Sequence, residues 1–321
     1  MEATFAAWVA LAGGLVVLLL VDLFVVHRGA HEVSMRDAAW STAGFIAISV
    51  AFGVLLGILE GRDLAAQFFA GYLLEKSLSL DNVFVWALIF SAFSIPSAYQ
   101  HRVLFYGVFG ALVLRGGFVA AGAELLAHFE WVVYVFGVLL LWSGARMLRR
   151  RSPRRDPEKD PVVRLLRRNL PTTRHIVGPH LFVRARGLPE AQRPDRAPLP
   201  GGWFATPMLA VLAIIETTDI IFAVDSIPAI FGVTRHAFIV FSATALALLG
   251  LRSMYFLLAG LRDRFVYLDA GLAVILVFVG AKFLLSHVVA IGVGVSLLVI
   301  VGVMSIAIAA SLRHSRTQAA G

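Results

Sequence analysis

Cysteine is absent from this 321-residue chain, which excludes disulfides, thiolate metal sites and cysteine nucleophiles. Charge is scarce as well: 15% of the residues are Asp, Glu, Lys or Arg, against about 25% in an average soluble domain. No glycine-rich phosphate loop, nucleophile elbow or HExxH helix occurs, so the motifs give no support to an enzyme. The short alternating segments of a membrane β-barrel are missing too. What fills the chain is apolar: 59% of the residues are hydrophobic and the mean hydropathy is +0.84. Several runs exceed the roughly 20 residues that span a hydrocarbon core. The pattern is that of an all-α polytopic membrane protein.

Hydropathy marks nine segments as spans: 5–26, 38–59, 66–93, 103–122, 131–148, 205–231, 237–260, 268–285 and 289–311. The first has no basic residues before it and no clear cleavage site before Asp22, so it reads as a retained helix. The organisation expected is therefore five helices over 1–148, a basic loop over 149–203 and four helices over 204–321. The net charge of +8 sits in that loop, which carries 14 Lys and Arg against 5 Asp and Glu. Positive-inside bias accounts for it without nucleic acid. Arg28, Arg36, Arg102, Arg262, Arg264, Arg313 and Arg316 fall on the loop's side, and only Arg62 and Arg235 fall opposite. That alternation predicts an external N-terminus and a cytoplasmic C-terminus. Within the loop, 161–169 reads as a short helix and 180–185 as a strand, and its charge suits anionic lipid headgroups. A regulatory or partner-docking role is the alternative.

A repeat divides the membrane part. Asp81, Arg115 and the Gly-Ala-Arg ending at Arg146 are echoed by Asp219, Arg252 and the Gly-Ala-Lys ending at Lys282. DNVFVWALIF matches DIIFAVDSIPAIF, and VLRGGF matches GLRSMYF. Each unit covers three spans, the third to fifth and the sixth to eighth, and the odd offset inverts one unit relative to the other. Inverted repeats of this kind recur in secondary transporters, with the site near the midplane where the units meet.

The polar residues inside these spans carry the chemistry. LLEKSLSLDNVFVWALIF, 73–90, holds Glu75, Lys76, Asp81 and Asn82, and IIETTDIIFAVDSIPAIF, 214–231, holds Glu216, Asp219 and Asp225. An ionisable group at that depth costs roughly 2.5–3.5 kcal/mol on insertion scales, so each needs a partner or a purpose. Asp81 and Asp219 both fall roughly 20 Å into their helices, at about 1.5 Å per residue, where they could share one ligand. Glu216 and Asp219 share a helix face; Asp225 is turned by about 120° on an ideal helix. Pro228 is expected to open the helix near 224 and bring Asp225 to the same cavity. Carboxylates with Asn82, Ser77, Ser79, Thr217 or Thr218 form a hard oxygen site suited to Mg²⁺, Ca²⁺ or Mn²⁺. Protons could replace the ion when it leaves, which gives a route to exchange. Arg115, Arg252 and Lys76 are the charge-balancing candidates, and structural pairing of the acids with them is the competing explanation. Asp22 suits such pairing and Asp269 an interfacial place. Arg146 and Lys282 lie near span ends, where they can snorkel. His27, His31 and His101 read as interfacial residues, with pH sensing as the alternative.

With those residues in hand, the chain resembles the TerC/Alx family of bacterial integral membrane proteins. GYLLEKSLSLDNVFVWALIF (71–90), YQHRVLFYGVFGALVLRGGF (99–118), IIETTDIIFAVDSIPAIF (214–231) and LGLRSMYFLLAG (249–260) carry the likeness. HRGAHEVSMRDA (27–38) and VVRLLRRNLP (162–171) extend it. The resemblance implies an inner-membrane protein related to LysE-type transporters, associated with manganese export and tellurium resistance. It places Glu75, Asp81, Asn82, Glu216, Asp219 and Asp225 at the motif's acidic and polar positions. The expectation is a secondary transporter that exports a divalent metal ion, Mn²⁺ first, against protons. The transported ion and protons are its partners, without a cofactor or nucleic acid. The rivals are a membrane-protein assembly factor, as for chloroplast relatives, and a partner-dependent tellurite-resistance component.

Overall fold

The computed structural model describes residues 4–22, 34–149, 161–173, 175–188, 194, 197–258, 267–286, 288 and 291–320. Eleven helices and one small sheet make up these residues. In chain order the helices are α1 (Phe5–Val21), α2 (Met35–Leu59), α3 (Arg62–Ala92), α4 (Ser97–His128) and α5 (Val132–Arg149), then α6 (Pro161–Asn169). Strands β1 (Phe182–Arg184) and β2 (Trp203–Ala205) follow, then α7 (Pro207–Phe231), α8 (Ala237–Leu249), α9 (Leu251–Leu258), α10 (Leu268–Leu284) and α11 (Val293–Ala320). An all-α membrane protein is what the composition requires, because helix satisfies every backbone polar group within the segment.

Five helices are long and apolar enough to cross a membrane by themselves: α2, α4, α5, α7 and the Val293–His314 part of α11. The pair α8–α9, bent by 43° at Gly250, makes a sixth. The remaining predicted spans fall on α1 and α10, which have 17 residues each, and on α3, whose apolar stretch carries Glu75, Lys76 and Asp81. Local sequence sets the ends. Ser34 caps α2 by accepting from the Asp37 amide at 3.1 Å, and its hydroxyl donates to the Asp37 carboxylate at 2.6 Å. α3 starts after Gly61, whose φ of +100° an L side chain rarely adopts. α7 begins with Pro207 at its first turn, where the missing N–H costs nothing. Contrary to the expected opening near 224, α7 runs unbroken through Pro228 to Phe231. Pro228 leaves the Val224 carbonyl without its usual amide donor, and α7 carries that loss without a break.

The helix and strand expected in the loop are both present, as α6 and β1. β1 pairs antiparallel with β2 in the register Phe182–Ala205, Val183–Phe204 and Arg184–Trp203. Thr206, following β2, accepts no capping bond but donates to the His180 carbonyl at 2.6 Å, fixing the loop to the start of α7. Arg28, His27, His31, Arg262, Arg264 and the Arg-rich 150–160 stretch lie outside the described residues.

α3 is the central helix, packed on α2, α7, α8, α9, α10 and α11. α3 and α7 cross antiparallel: Gly71 faces Ile230 while Asn82 meets Asp219. α5 and α10 also run antiparallel, and their backbones nearly touch. A Cβ at Gly144 would stand 2.9 Å from the Ala273 carbonyl oxygen, and one at Gly280 would stand 2.8 Å from that of Gly137. Only glycine permits such an approach, which is how membrane helices gain packing contact without a hydrophobic driving force between them. Two further pairings, α3 with α8 and α4 with α7, run parallel, as Gly71–Ala243 with Lys76–Ala247 and Gly107–Ile215 with Gly122–Phe231 attest.

Candidate functional site

Where α3, α4 and α7 meet, Arg115 of α4 lies between two carboxylates. Its side chain is 1% exposed, Glu75 is 0% and Asp219 3%. Nη2 and Nε of Arg115 donate to Asp219 Oδ1 and Oδ2 at 2.9 and 3.2 Å, a two-pronged grip that only a guanidinium can make. Nη1 forms the ion pair with Glu75 Oε1 and also donates to Ser226 Oγ at 3.1 Å. Ser79 Oγ donates to Glu75 Oε1 at 2.9 Å, and Asn82 Nδ2 to Asp219 Oδ1 at 3.3 Å. Side chains of three helices thus converge on one buried charge cluster.

The cluster has acceptors to spare. Glu75 Oε2, Asn82 Oδ1 and Glu216 Oε2 are buried oxygens with no hydrogen-bond partner among the described residues. A carboxylate and an amide carbonyl can only accept, so a cation or a donor is what such atoms call for. Glu216 stands three residues before Asp219 on α7 and packs its carboxyl against Gly110 of α4. A Cβ at Gly110 would fall 2.1 Å from Glu216 Oε1, so the absence of a side chain there makes the slot. Thr217 and Thr218 donate back to the carbonyls of Ala213 and Ile214, both at 2.7 Å, and are occupied within their own helix.

The remaining predicted residues go elsewhere. Asp81 is half-buried and is not among the partners of Arg115. Asp225 accepts from Ser143 Oγ of α5 at 2.6 Å. Lys76 leaves the carboxylates and donates to the Ala247 carbonyl at 3.1 Å, just before the Gly250 bend, where the broken helix frees backbone acceptors. Arg252, 1% exposed, pairs with the Asp22 carboxylate at the end of α1 and donates to the Asp22 carbonyl at 3.0 Å. Arg146 lies over the Trp142 ring at 5.0 Å, and Lys282 Nζ donates to Ser296 Oγ at 2.9 Å. Among the described residues, no three His, Cys, Asp or Glu side chains are arranged to hold a metal ion. At the central cluster the guanidinium holds both Asp219 oxygens and one oxygen of Glu75.

Sequence reasoning missed Ser226 and Ser143, whereas the structural pairing expected of Asp22 is found, with Arg252. Ser226 was detectable, since it stands seven residues after Asp219 and two helical turns return it to the same face.

Comparison with known proteins agrees with this membrane architecture. The profile described as "Integral membrane protein TerC family" matches residues 60–319. A protein of Myxococcus xanthus named "Uncharacterized membrane protein STKORF319" is 42% identical over 309 residues, which cover 96% of this chain and 92% of its own. The Escherichia coli K12 protein named "Putative membrane-bound redox modulator Alx" is 43% identical over 307 residues, 92% of this chain and 91% of its own. A Salmonella typhi protein of the same name is 44% identical over 309 residues, 93% of this chain and 91% of its own. No solved structure matches.

Proposed function

The chain belongs to the TerC family of integral membrane proteins, and from that premise we propose that it is a secondary transporter exporting a divalent metal ion, Mn²⁺ first, in exchange for protons. The observation that carries the reading is the cluster at the crossing of α3 and α7. Glu75 and Asp219 are buried there with a bonded arginine, and acceptor oxygens of Glu75, Asn82 and Glu216 have no donor among the described residues. Such a set is all oxygen, which suits Mn²⁺, Mg²⁺ or Ca²⁺ better than a thiophilic ion. Glu75, Asp219 and Glu216 are the proposed core of the ion site with Asn82. Asp81 and Asp225 stand on the adjoining faces of the same two helices, as further ligands or proton carriers along the path.

In this reading the chain crosses the inner membrane nine times, with α8–α9 counted as one crossing. Charge bias puts the 149–203 loop and the C-terminus in the cytoplasm. α3–α5 and α7–α10 form the two inverted units. Packing supports the inversion, because α3 with α7 and α5 with α10, the equivalent helices, meet antiparallel. The α3–α8 and α4–α7 contacts exchange under the same symmetry. The site then lies where the units meet, as in other inverted-repeat transporters. The relatives' name, redox modulator, does not translate into dithiol chemistry here, since this chain has no cysteine.

In cells lacking other Mn²⁺ exporters, expression of the chain is expected to lower cellular Mn²⁺. Asp219→Asn, folded and inserted, is expected to abolish that effect, and near-normal export by this variant would remove Asp219 from the site.

A further inference from the structure

Arg115 is the feature that a cation site does not by itself require. Among the described residues it is one of the two largest fully buried side chains, the other being Arg252. Its position is not at the edge of the carboxylate pair but between its members, with bonds to both Asp219 oxygens and to Glu75 Oε1. A metal ion held by both carboxylates would compete for Asp219, whose two oxygens the guanidinium already engages, and would find only Oε2 of Glu75 open. Two cations a bond length apart in a membrane interior repel strongly, since little solvent screens them. Guanidinium and metal are therefore alternatives.

We propose that Arg115 is the built-in counter-cation of this site, competing with the transported divalent ion for Glu75 and Asp219, so that the ion enters only as Arg115 leaves. The proposal rests on the transport reading above and says how its site is regulated. With the arginine in place the pair Glu75–Asp219 carries a net charge of −1; with a divalent ion in its place the pair is neutral. Either way the carboxylates never stand bare in the membrane, which removes the cost of an unpaired pair of charges during the return step. Ser226, already within 3.1 Å of Nη1, gives the displaced guanidinium its first foothold along α7. The competition also sets affinity. A site open in only a fraction of molecules binds with a Kd raised by the inverse of that fraction, so an arginine that closes it nine-tenths of the time weakens binding about tenfold.

The test is thermal unfolding of the full-length protein in detergent, titrated with MnCl₂, for wild type, Arg115→Met and Arg115→Lys. Arg115→Met, which leaves both acids unpaired, is expected to have a lowered Tm without divalent ions. Mn²⁺ should restore it, with a larger shift than in wild type and an apparent Kd about tenfold lower. Arg115→Lys keeps the charge but loses the two-pronged grip, so it should fold without metal and bind Mn²⁺ more tightly than wild type. Mn²⁺ flux by wild-type protein in liposomes, run in parallel, tests the transport reading separately. Flux by wild type together with weaker or unchanged Mn²⁺ binding by Arg115→Lys would overturn the counter-cation. The same holds if Mn²⁺ fails to rescue Arg115→Met. Absence of wild-type flux and Mn²⁺ binding would bring down the transport reading and this inference with it.

Discussion

Glu75, Ser79 and Asn82 stand at intervals of four and three along α3, and Glu216, Asp219 and Ser226 at intervals of three and seven along α7. Those spacings return to one helix face, and that face is what meets Arg115. Asp81 follows Glu75 by six residues, as Asp225 follows Asp219. Six residues turn a helix by about 240° beyond one full turn, so each of these acids points about 120° away from the first. The sequence therefore contained the assignment of Asp225 and Asp81 to separate faces, but the matching depth of Asp81 and Asp219 outweighed it. Depth along the membrane can be read from residue count; the azimuth that decides which acid meets which requires following the face residue by residue. That Asp22 pairs was legible from a lone charge in an apolar run, but which of the three basic residues it meets was not, since Arg252 is far away in sequence. The Gly110 slot yields a prediction at this scale. Gly110→Ala places a methyl where the Glu216 carboxyl lies and should lower Mn²⁺ flux while the Tm changes little, because the end of a flexible side chain can move aside. Unchanged flux would mean that the position of Glu216 is immaterial to transport.

At the level of helices, the long apolar segments were legible, and among the described residues five helices, or six with the bent pair, are long and apolar enough to cross a membrane. The bend at Gly250 was not, since a glycine within an apolar run is common in membrane helices. At this one a Cβ would stand 3.0 Å from Nζ of Lys76 on a neighbouring helix, which donates to the Ala247 carbonyl just before the bend. The α5–α10 seam was visible only as a pair of Gly-Ala motifs, whose purpose is packing and not chemistry. Gly144 faces Ala273 and Val277, and Gly280 faces Gly137 and Leu141, with backbone atoms of the partner helix near 3 Å from where a Cβ would stand. Gly144→Leu should force the helices apart and cost about 1–3 kcal/mol, the usual range for overpacking. A lowered Tm with Mn²⁺ affinity retained in the folded fraction is the expected result. An unchanged Tm would show that the seam tolerates separation.

For the molecule as a whole, the charge cluster lies where α3 and α7 cross beside α4, the place at which the proposed inverted units would meet. Beside it α5 and α10 pack closely through glycines, whereas α8–α9 is bent and held by polar contacts from Lys76 and to Asp22. The crossing direction is open to a direct check, since any introduced cysteine is the only thiol in the chain. Ser152→Cys should be labelled by a membrane-impermeant maleimide only from the cytoplasmic side, and Glu130→Cys only from the outside; the reverse would invert the assigned orientation. The proposed function stands on the buried carboxylates moving a divalent ion. The decisive experiment is Mn²⁺ flux into liposomes containing the purified protein, with and without a pH gradient, beside Asp219→Asn. Wild-type flux that the gradient accelerates and the variant loses is the expected outcome. Well-folded wild-type protein with no flux, or equal flux in the variant, would refute the carboxylate site.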